Sequence, residues 1–266
     1  MTRTPAPEEI GDVVRFDVSA GIASVTLNRP QSRNAINGAV TRALAWIVSE
    51  VDANPDIAVA VLASATPGMF CAGADLAEIA RGGGADLVHP HNGFGGFVRA
   101  QRSKPWIVAV DGAAMGGGFE LALACEMIVA SDRAQFGLPE VKRGLMAMAG
   151  GAIRLPRRLP SALAIEALLT GDPISADLAA AHGLVNRVVE SSALEETAMG
   201  LAGRIARNAP LALRESLQLA RAAEGADDAA LWQANDAAMM RVATSADARE
   251  GPLAFMEKRE PRWSGT

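Results

Sequence analysis

The sequence predicts an α/β fold that gives way to an all-helical C-terminal part, and three observations predict it. Short apolar runs of strand length, at 57–62, 106–110 and 127–130, alternate with segments of helical periodicity. A glycine triplet, Gly116-Gly117-Gly118, stands between one such run and a helix. From about residue 192 the strand signals stop, and Ala- and Leu-rich helical segments follow. The chain therefore divides into a loose N-terminal tail at 1–12, an α/β core at 13–195 and a helical C-terminal region at 196–266.

Taken in order, residues 1–12 are polar and carry two prolines, as expected of a tail. Val14, Phe16 and Val18, then Ala23, Val25 and Leu27, alternate with polar residues around Ser19-Ala20-Gly21, the pattern of a hairpin. Val40, Leu44, Ile47 and Val51 give the next segment one apolar helical face, with Asn37 as its N-cap. The almost wholly apolar run from Ile57 to Leu62 suits a strand buried on both faces. Pro67 to Leu76 reads as a loop entering a short helix. Residues 82–96 hold six glycines and two histidines and read as a mobile surface loop. Buried strands follow at Trp106–Val110 and Met127–Ala130, with a helix between them from Gly117 to Cys125. Helices are expected at 161–169 and 175–181, a last strand at Leu184–Val189, and further helices near 192–207, 210–223, 226–243 and 246–258.

Composition narrows the function. In 266 residues the apolar fraction is 50% and the charged fraction 21%, values of a globular chain. A net charge of −5, from 25 basic and 30 acidic residues, argues against a nucleic-acid or anionic-membrane binder. Two cysteines, Cys71 and Cys125, exclude a disulfide scaffold, and neither they nor the three histidines show metal-ligand spacing. The richest apolar run, Leu121–Ala130, is interrupted by Glu126 and is too short to span a bilayer, and the opening residues MTRTPAPEEIGD lack the apolar run expected of a signal peptide. The expectation is a cytoplasmic enzyme without a metal.

Four constellations can carry chemistry. The Gly116–Gly118 turn lets backbone N–H groups approach a ligand at a helix N-terminus, which suits a phosphate or an oxyanion; tight strand–helix packing explains it equally well. Glu120 lies one turn into that helix with no cationic side chain three or four residues away. It is either solvated at a rim or held for acid–base work. Glu140, behind Pro139, either pairs with Lys142 or Arg143 on the surface or joins Glu120 in dividing acid and base roles. In Cys71-Ala72-Gly73-Ala74-Asp75-Leu76, small residues before a helix start leave backbone N–H groups available, with Asp75 an ordinary N-cap in the plainer reading. Cys71 reads as a small buried residue rather than a nucleophile.

In this order and spacing the motifs resemble the enoyl-CoA hydratase/isomerase, or crotonase, superfamily over nearly the whole chain. They run from Leu27-Asn28-Arg29-Pro30 and Asn34-Ala35-Ile36-Asn37 through Phe70–Leu76, Gly116–Ala122 and Ala134–Glu140 to Glu250–Arg259. The resemblance implies a spiral of ββα units followed by a helical trimerisation region. It implies that the peptide N–H groups of Ala74 and Gly117 form an oxyanion hole for a thioester carbonyl. Glu120 would take a proton from the water that attacks C3 of a 2-enoyl-CoA, and Glu140 would deliver one to C2. Many isomerases of the superfamily keep only one glutamate, so the pair favours an enoyl-CoA hydratase, a lyase of β-oxidation or related acyl-CoA metabolism.

The resemblance further implies that coenzyme A belongs to the substrate and that no separate cofactor is needed. Arg29 and the backbone of Ala72, Ala74, Asp75 and Leu76 would border the CoA head group. Phe255 and Lys258 would reach the CoA of a neighbouring subunit in a homotrimer or dimer of trimers. Several segments, including Gly116–Ala122 and the ending from Glu250, are similar to the carnitinyl-CoA dehydratase branch, although that branch has Trp where this chain has Ala74. An enoyl-CoA isomerase, or a non-catalytic CoA-ester- or RNA-binding relative, would also fit within the superfamily. Ala147 and Met148 replace a Pro and a Gly of typical short-chain hydratases, so Met148 is expected beside the acyl group.

Overall fold

A computed structural model describes residues 6–8, 10–225 and 227–266; of the expected N-terminal tail, residues 1–5 and 9 lie outside the described residues. The hairpin forms as β1 (Val14–Ser19) and β2 (Ile22–Leu27), paired antiparallel with Phe16 opposite Val25. Next, α1 (Gly38–Ala53) starts where Asn37 accepts a hydrogen bond from Val40 N, at 3.0 Å, and buries Val40, Leu44, Ile47 and Val51. β3 (Val59–Ser64) begins two residues later than the apolar run at Ile57 and extends past it.

The expected loop at 67–76 contains a short strand, β4 (Met69–Cys71), before α2 (Leu76–Ala80). The glycine-rich stretch differs from expectation. It folds into a 3-10 turn at Gly83–Leu87 and a minimal hairpin of β5 (Val88–His89) and β6 (Gly93–Phe94). Only its outer residues are exposed, because Leu87, Gly93 and 95–98 are buried. Gly96 explains why glycine is required there. Its φ is +66°, and an added Cβ would collide with Thr41 O and stand 2.8 Å from Ala45 N on α1.

β7 (Trp106–Val110) leads through β8 (Ala113–Met115) into α3 (Gly117–Ala124), then β9 (Met127–Ser131) and β10 (Gln135–Gly137). α4 (Gly151–Arg158) lies where the sequence showed no helical signal. α5 (Ser161–Thr170), β11 (Ile174–Ser175), α6 (Ala176–Ala181) and β12 (Arg187–Val189) complete the strand-bearing part. The helical end is α7 (Leu194–Ala206), α8 (Pro210–Ala222), α9 (Asp228–Ala243) and α10 (Asp247–Glu257).

Among the described residues the strands form a six-stranded sheet in the order β1-β2-β3-β7-β9-β12 and a four-stranded sheet in the order β11-β10-β8-β4. Apart from the opening hairpin the large sheet is parallel, so β3, β7 and β9 are apolar on both sides. One face packs Val25, Leu62, Val108 and Ile128 into the main core with α1 and α3. The other packs Val59, Val61, Ile107 and Val129 against Leu194, Ala198 and Ala202 of α7. Phe97, from the end of the glycine-rich stretch, is fully buried edge-on to Trp106, with ring centroids 4.9 Å apart.

Gly96→Ala should lower stability by more than about 1 kcal/mol, because it combines an unfavourable φ with a collision against α1. Thermal unfolding beside the wild type checks this; an unchanged midpoint would mean that the stretch is free to move.

Candidate active site

The short sheet positions the site. β8 pairs in parallel with β4 on one side and with β10 on the other, so the chain leaves all three strands toward the N-terminus of α3. Gly116 N donates to Gly137 O at 2.8 Å, which ties the Leu138-Pro139-Glu140 turn to the turn that starts α3. Gly73 has φ +93°, and a Cβ there would lie 3.0 Å from Gly117 N and 2.8 Å from Met115 O. The Ala72–Asp75 turn therefore rests directly on the start of α3. Ile36 holds it from the other side: its N–H donates to Gly73 O, at 2.8 Å, and its O accepts from Asp75 N, at 2.9 Å. That pairing skips Ala74. Neither Ala74 nor Gly117 gives its N–H to an acceptor among the described residues. For Gly117 this follows from its place at the first position of a helix.

Glu120 is on the first turn of α3, where the helix end favours a negative charge. It is 3% exposed, not solvated at a rim. Its Oε1 accepts from Gly151 N, the first residue of α4, at 2.8 Å. Burial raises its pKa most, Gly151 N–H opposes the rise and the nearby Glu140 charge adds to it, for a net shift from 4.5 to about 7. Glu140 is half-buried, and its pKa too is raised by burial, with Arg143 opposing. Its Oε1 lies 3.2 Å from where a Gly116 Cβ would be, and its Oε2 is buried without a hydrogen-bond partner. The surface pairing open to Glu140 does not form: Lys142 binds Asp172 at 2.5 Å, and Arg143 reaches Pro139 O.

Arg29 faces Asp75, with Nη2 3.1 Å from Oδ2, and the two side chains are 12% and 11% exposed. The Arg29 guanidinium also reaches Ala35 O. Asp75 caps α2 through Ala77 N and Glu78 N. Burial alone would raise its pKa, but Glu78 N–H and Arg29 outweigh it and hold the carboxyl below its ordinary range. Ala72 and Leu76 flank this pair and are exposed. Cys71 is fully buried, its thiol pushed up to about 12 by burial, which removes it as a nucleophile.

The structure thus brings Glu120, Glu140, Ala74 and Gly117 to adjoining turns, with Arg29, Ala72, Asp75 and Leu76 beside them. Phe255 and Lys258 stand on the C-terminal helix α10 and its cap, where α10 packs against α9 and Phe255 is 85% exposed. Met148 lies close in the chain to Ala149 and Gly151, whose backbones reach Glu120. It is 68% exposed and borders a shallow hollow with Arg99, Ile153 and Arg157, whereas Ala147 is the buried neighbour of Gly151. Two participants carry little mark in the sequence. Gly151 supplies the hydrogen bond to Glu120, and the Gly150-Gly151 pair was its only signal. Phe94 covers Gly117, where an added Cβ would lie 2.5 Å from the ring Cζ. Among the described residues no group of three His, Cys, Asp or Glu is placed to hold a metal ion, and no helix is long and apolar enough to cross a membrane.

Two sheets of this connectivity, delivering two carboxyls and two open amides to one helix start, define a crotonase-type fold. The chain belongs to the enoyl-CoA hydratase/isomerase family, whose profile matches residues 17–266. It is 39% identical over 249 residues to a carnitinyl-CoA dehydratase of Proteus mirabilis (strain HI4320), covering 92% of this chain and 95% of that protein. It resembles the crystal structure of an enoyl-CoA hydratase from Mycobacterium tuberculosis H37Rv, with a TM-score of 0.92 and 41% identity over 96% of this chain and 99% of that one. A carnitinyl-CoA hydratase from Mycobacterium avium matches at 42% identity and a TM-score of 0.75, over 96% and 99% of the two chains.

The raised pKa has a consequence for stability. Glu120 holds its proton more tightly in the folded than in the unfolded chain, so its contribution is fully present below pH 4.5 and is lost as pH rises through about 7. Glu120→Gln keeps an acceptor for Gly151 and removes the charge. It should therefore stabilise the protein at pH 8 by up to about 3 kcal/mol relative to its effect at pH 4.5. Thermal unfolding of both proteins at the two pH values measures this, and an equal difference at both would contradict the assigned shift.

Proposed function

We propose that the chain catalyses reversible addition of water to a 2-enoyl-CoA thioester, giving a 3-hydroxyacyl-CoA. The observation that carries this reading is the pair of carboxyls, Glu120 and Glu140, both with raised pKa values beside two unengaged peptide N–H groups. A single carboxyl would suffice to shuttle one proton for double-bond migration; addition of water needs one proton removed and one delivered. Glu120 takes a proton from a water held between the two carboxyls, the water oxygen bonds to C3, and Glu140 gives a proton to C2. The N–H groups of Ala74 and Gly117 receive the negative charge that develops on the thioester oxygen, each worth roughly 3–4 kcal/mol in the transition state. Two nearby carboxyls near neutral pH share one proton more readily than they carry two charges, which keeps one acid and one base available.

Arg29 contributes by holding Asp75, and with it the Ala72–Leu76 turn that borders the CoA. The exposed Phe255, with Lys258, contributes from a neighbouring subunit of a homotrimer or dimer of trimers. The apolar side chains left open on the C-terminal helices, among them Trp232, Met240, Leu253 and Met256, support such an assembly. The coenzyme A is part of the substrate and the chemistry needs no further cofactor. The enzyme would serve cytoplasmic acyl-CoA metabolism such as β-oxidation. The names of the relatives favour a second substrate within the same reaction class, a carnitinyl-CoA thioester.

Turnover of 2-enoyl-CoA, 3-enoyl-CoA and crotonobetainyl-CoA, followed by loss or gain of the conjugated thioester absorbance, tests the reading; conversion of the 3-enoyl ester alone would replace it with an isomerase. Glu120→Gln and Glu140→Gln should each lower kcat by about 10²–10⁴-fold while acyl-CoA binding persists. Near-normal turnover in either variant would remove that carboxyl from the mechanism. Sedimentation should give a multiple of the single-chain mass, and a stable monomer at micromolar concentration would refute the shared site.

A further inference from the structure

The glycine-rich stretch carries one aromatic side chain to the start of α3. Phe94 Cζ lies 2.5 Å from where a Gly117 Cβ would be, so the ring is within about 4 Å of the Gly117 Cα. The adjoining Gly95 rests on α3, which bears the Gly117 amide, and on the Ile36 segment that pairs with the Ala74 turn. A Cβ there would lie 3.3 Å from Leu121 Cδ2, on α3 next to Glu120, and 3.6 Å from Ile36 Cγ2, which is hydrogen-bonded on both sides of Ala74. An oxygen accepting from Gly117 N–H sits about 2.9 Å from that nitrogen, and the Phe94 ring stands over the Cα of the same residue.

The ring is also held in place. Gly95 N donates to Leu87 O at 2.9 Å, Phe97 N and Val98 N donate to Phe94 O at 3.2 and 3.3 Å, and Arg99 N donates to Asn92 O at 2.8 Å. The buried Phe97 anchors this turn against Trp106. The backbone around Phe94 therefore cannot shift without undoing core packing, and the ring is half-buried rather than free in solvent.

We propose that Phe94 is a specificity-determining wall of the acyl site, closing the space beside Gly117 and favouring short, unbranched acyl groups. This rests on the hydratase reading for its substrate class. The ring contributes apolar surface and bulk, and neither donates nor accepts a proton, so it selects among acyl groups without entering the proton transfers.

The experiment compares wild type with Phe94→Ala and the milder Phe94→Val. Two quantities are read: kcat/KM for short and long 2-enoyl-CoA esters, and calorimetric Kd for butyryl-CoA and octanoyl-CoA. Opening the wall should raise the long-to-short ratio by about 10-fold or more in Phe94→Ala, and by less in the same direction in Phe94→Val. The Kd ratio should move with it. If Phe94→Ala does not fold, Phe94→Val carries the test alone. An unchanged ratio, or an equal loss for both chain lengths, would overturn the proposal, the second outcome meaning that the ring only props up Gly117. Absence of hydration in the wild type would overturn the hydratase reading instead, while the Kd ratio would still report on Phe94.

Discussion

The turn at Gly73 lies with its backbone flat against the start of α3, and the surrounding structure is arranged around that contact. No side chain fits between the two: a Cβ on Gly73 meets Met115 O and Gly117 N, and one on Gly118 meets Cys71, whose Cβ is 2.7 Å away. Close approach lets β4 pair with β8, and it leaves the Ala74 and Gly117 amides on adjoining turns. Asn34 supports the same region from behind. Its side chain accepts from Arg29 N and donates to Ser64 Oγ and Phe70 O, at 2.7 and 3.0 Å for the two donations, which fastens the Arg29 loop to β3 and β4. Buried polar groups satisfied in this way hold a single arrangement, because any other leaves one of them unpaired.

The two glutamates are treated differently by this scaffold. Glu120 is enclosed but bonded, through Gly151 N, so its position is set even when its charge is disfavoured. Glu140 keeps one oxygen buried without a partner, a costly state for a carboxylate and a milder one for a carboxylic acid. Burial is the leading cause of both pKa rises, and the apolar residues next to them in the chain, Leu138 near Glu140 and Phe119 beside Glu120, are core residues of the fold. Packing and proton affinity are thus set together.

Charge elsewhere is handled by pairing. Glu126 accepts from Trp106 N at 2.7 Å and from Arg221 at 2.5 Å, and Arg102 stacks over Phe97 at 4.3 Å while facing the same carboxylate. These contacts join α8 to the core across a cleft of about 820 Å³. By contrast α9 buries only Ala238 among its described residues, and α10 only Asp247 and Ala254. α9 packs mainly on α8, with Arg241 paired to Glu215, and α10 is tied to the chain end, where Asp247 accepts from Ser264 N and Gly265 N.

Much of the fold was legible in the sequence because helical and buried-strand periodicity are local. The apolar stripe of α1, the runs that became β3, β7 and β9, and the helices from α7 to α10 all follow from spacing within one segment. Four elements were not legible for a shared reason. β4, β8, β10 and β11 are two or three residues long, and they exist through pairing with distant partners, which no window of a single segment contains. The sequence likewise showed two candidate glutamates and two glycine turns but left a surface role for each glutamate open. Tertiary structure decided that question by enclosing Glu120 against Gly151 and by half-burying Glu140 while Lys142 and Arg143 bond to other partners. It also turned a stretch rich in glycine from an expected mobile loop into a 3-10 turn and a minimal hairpin packed on the core. Glycine permits both outcomes, and only the neighbouring α1 backbone, Leu121 and Gly117 determine which one occurs.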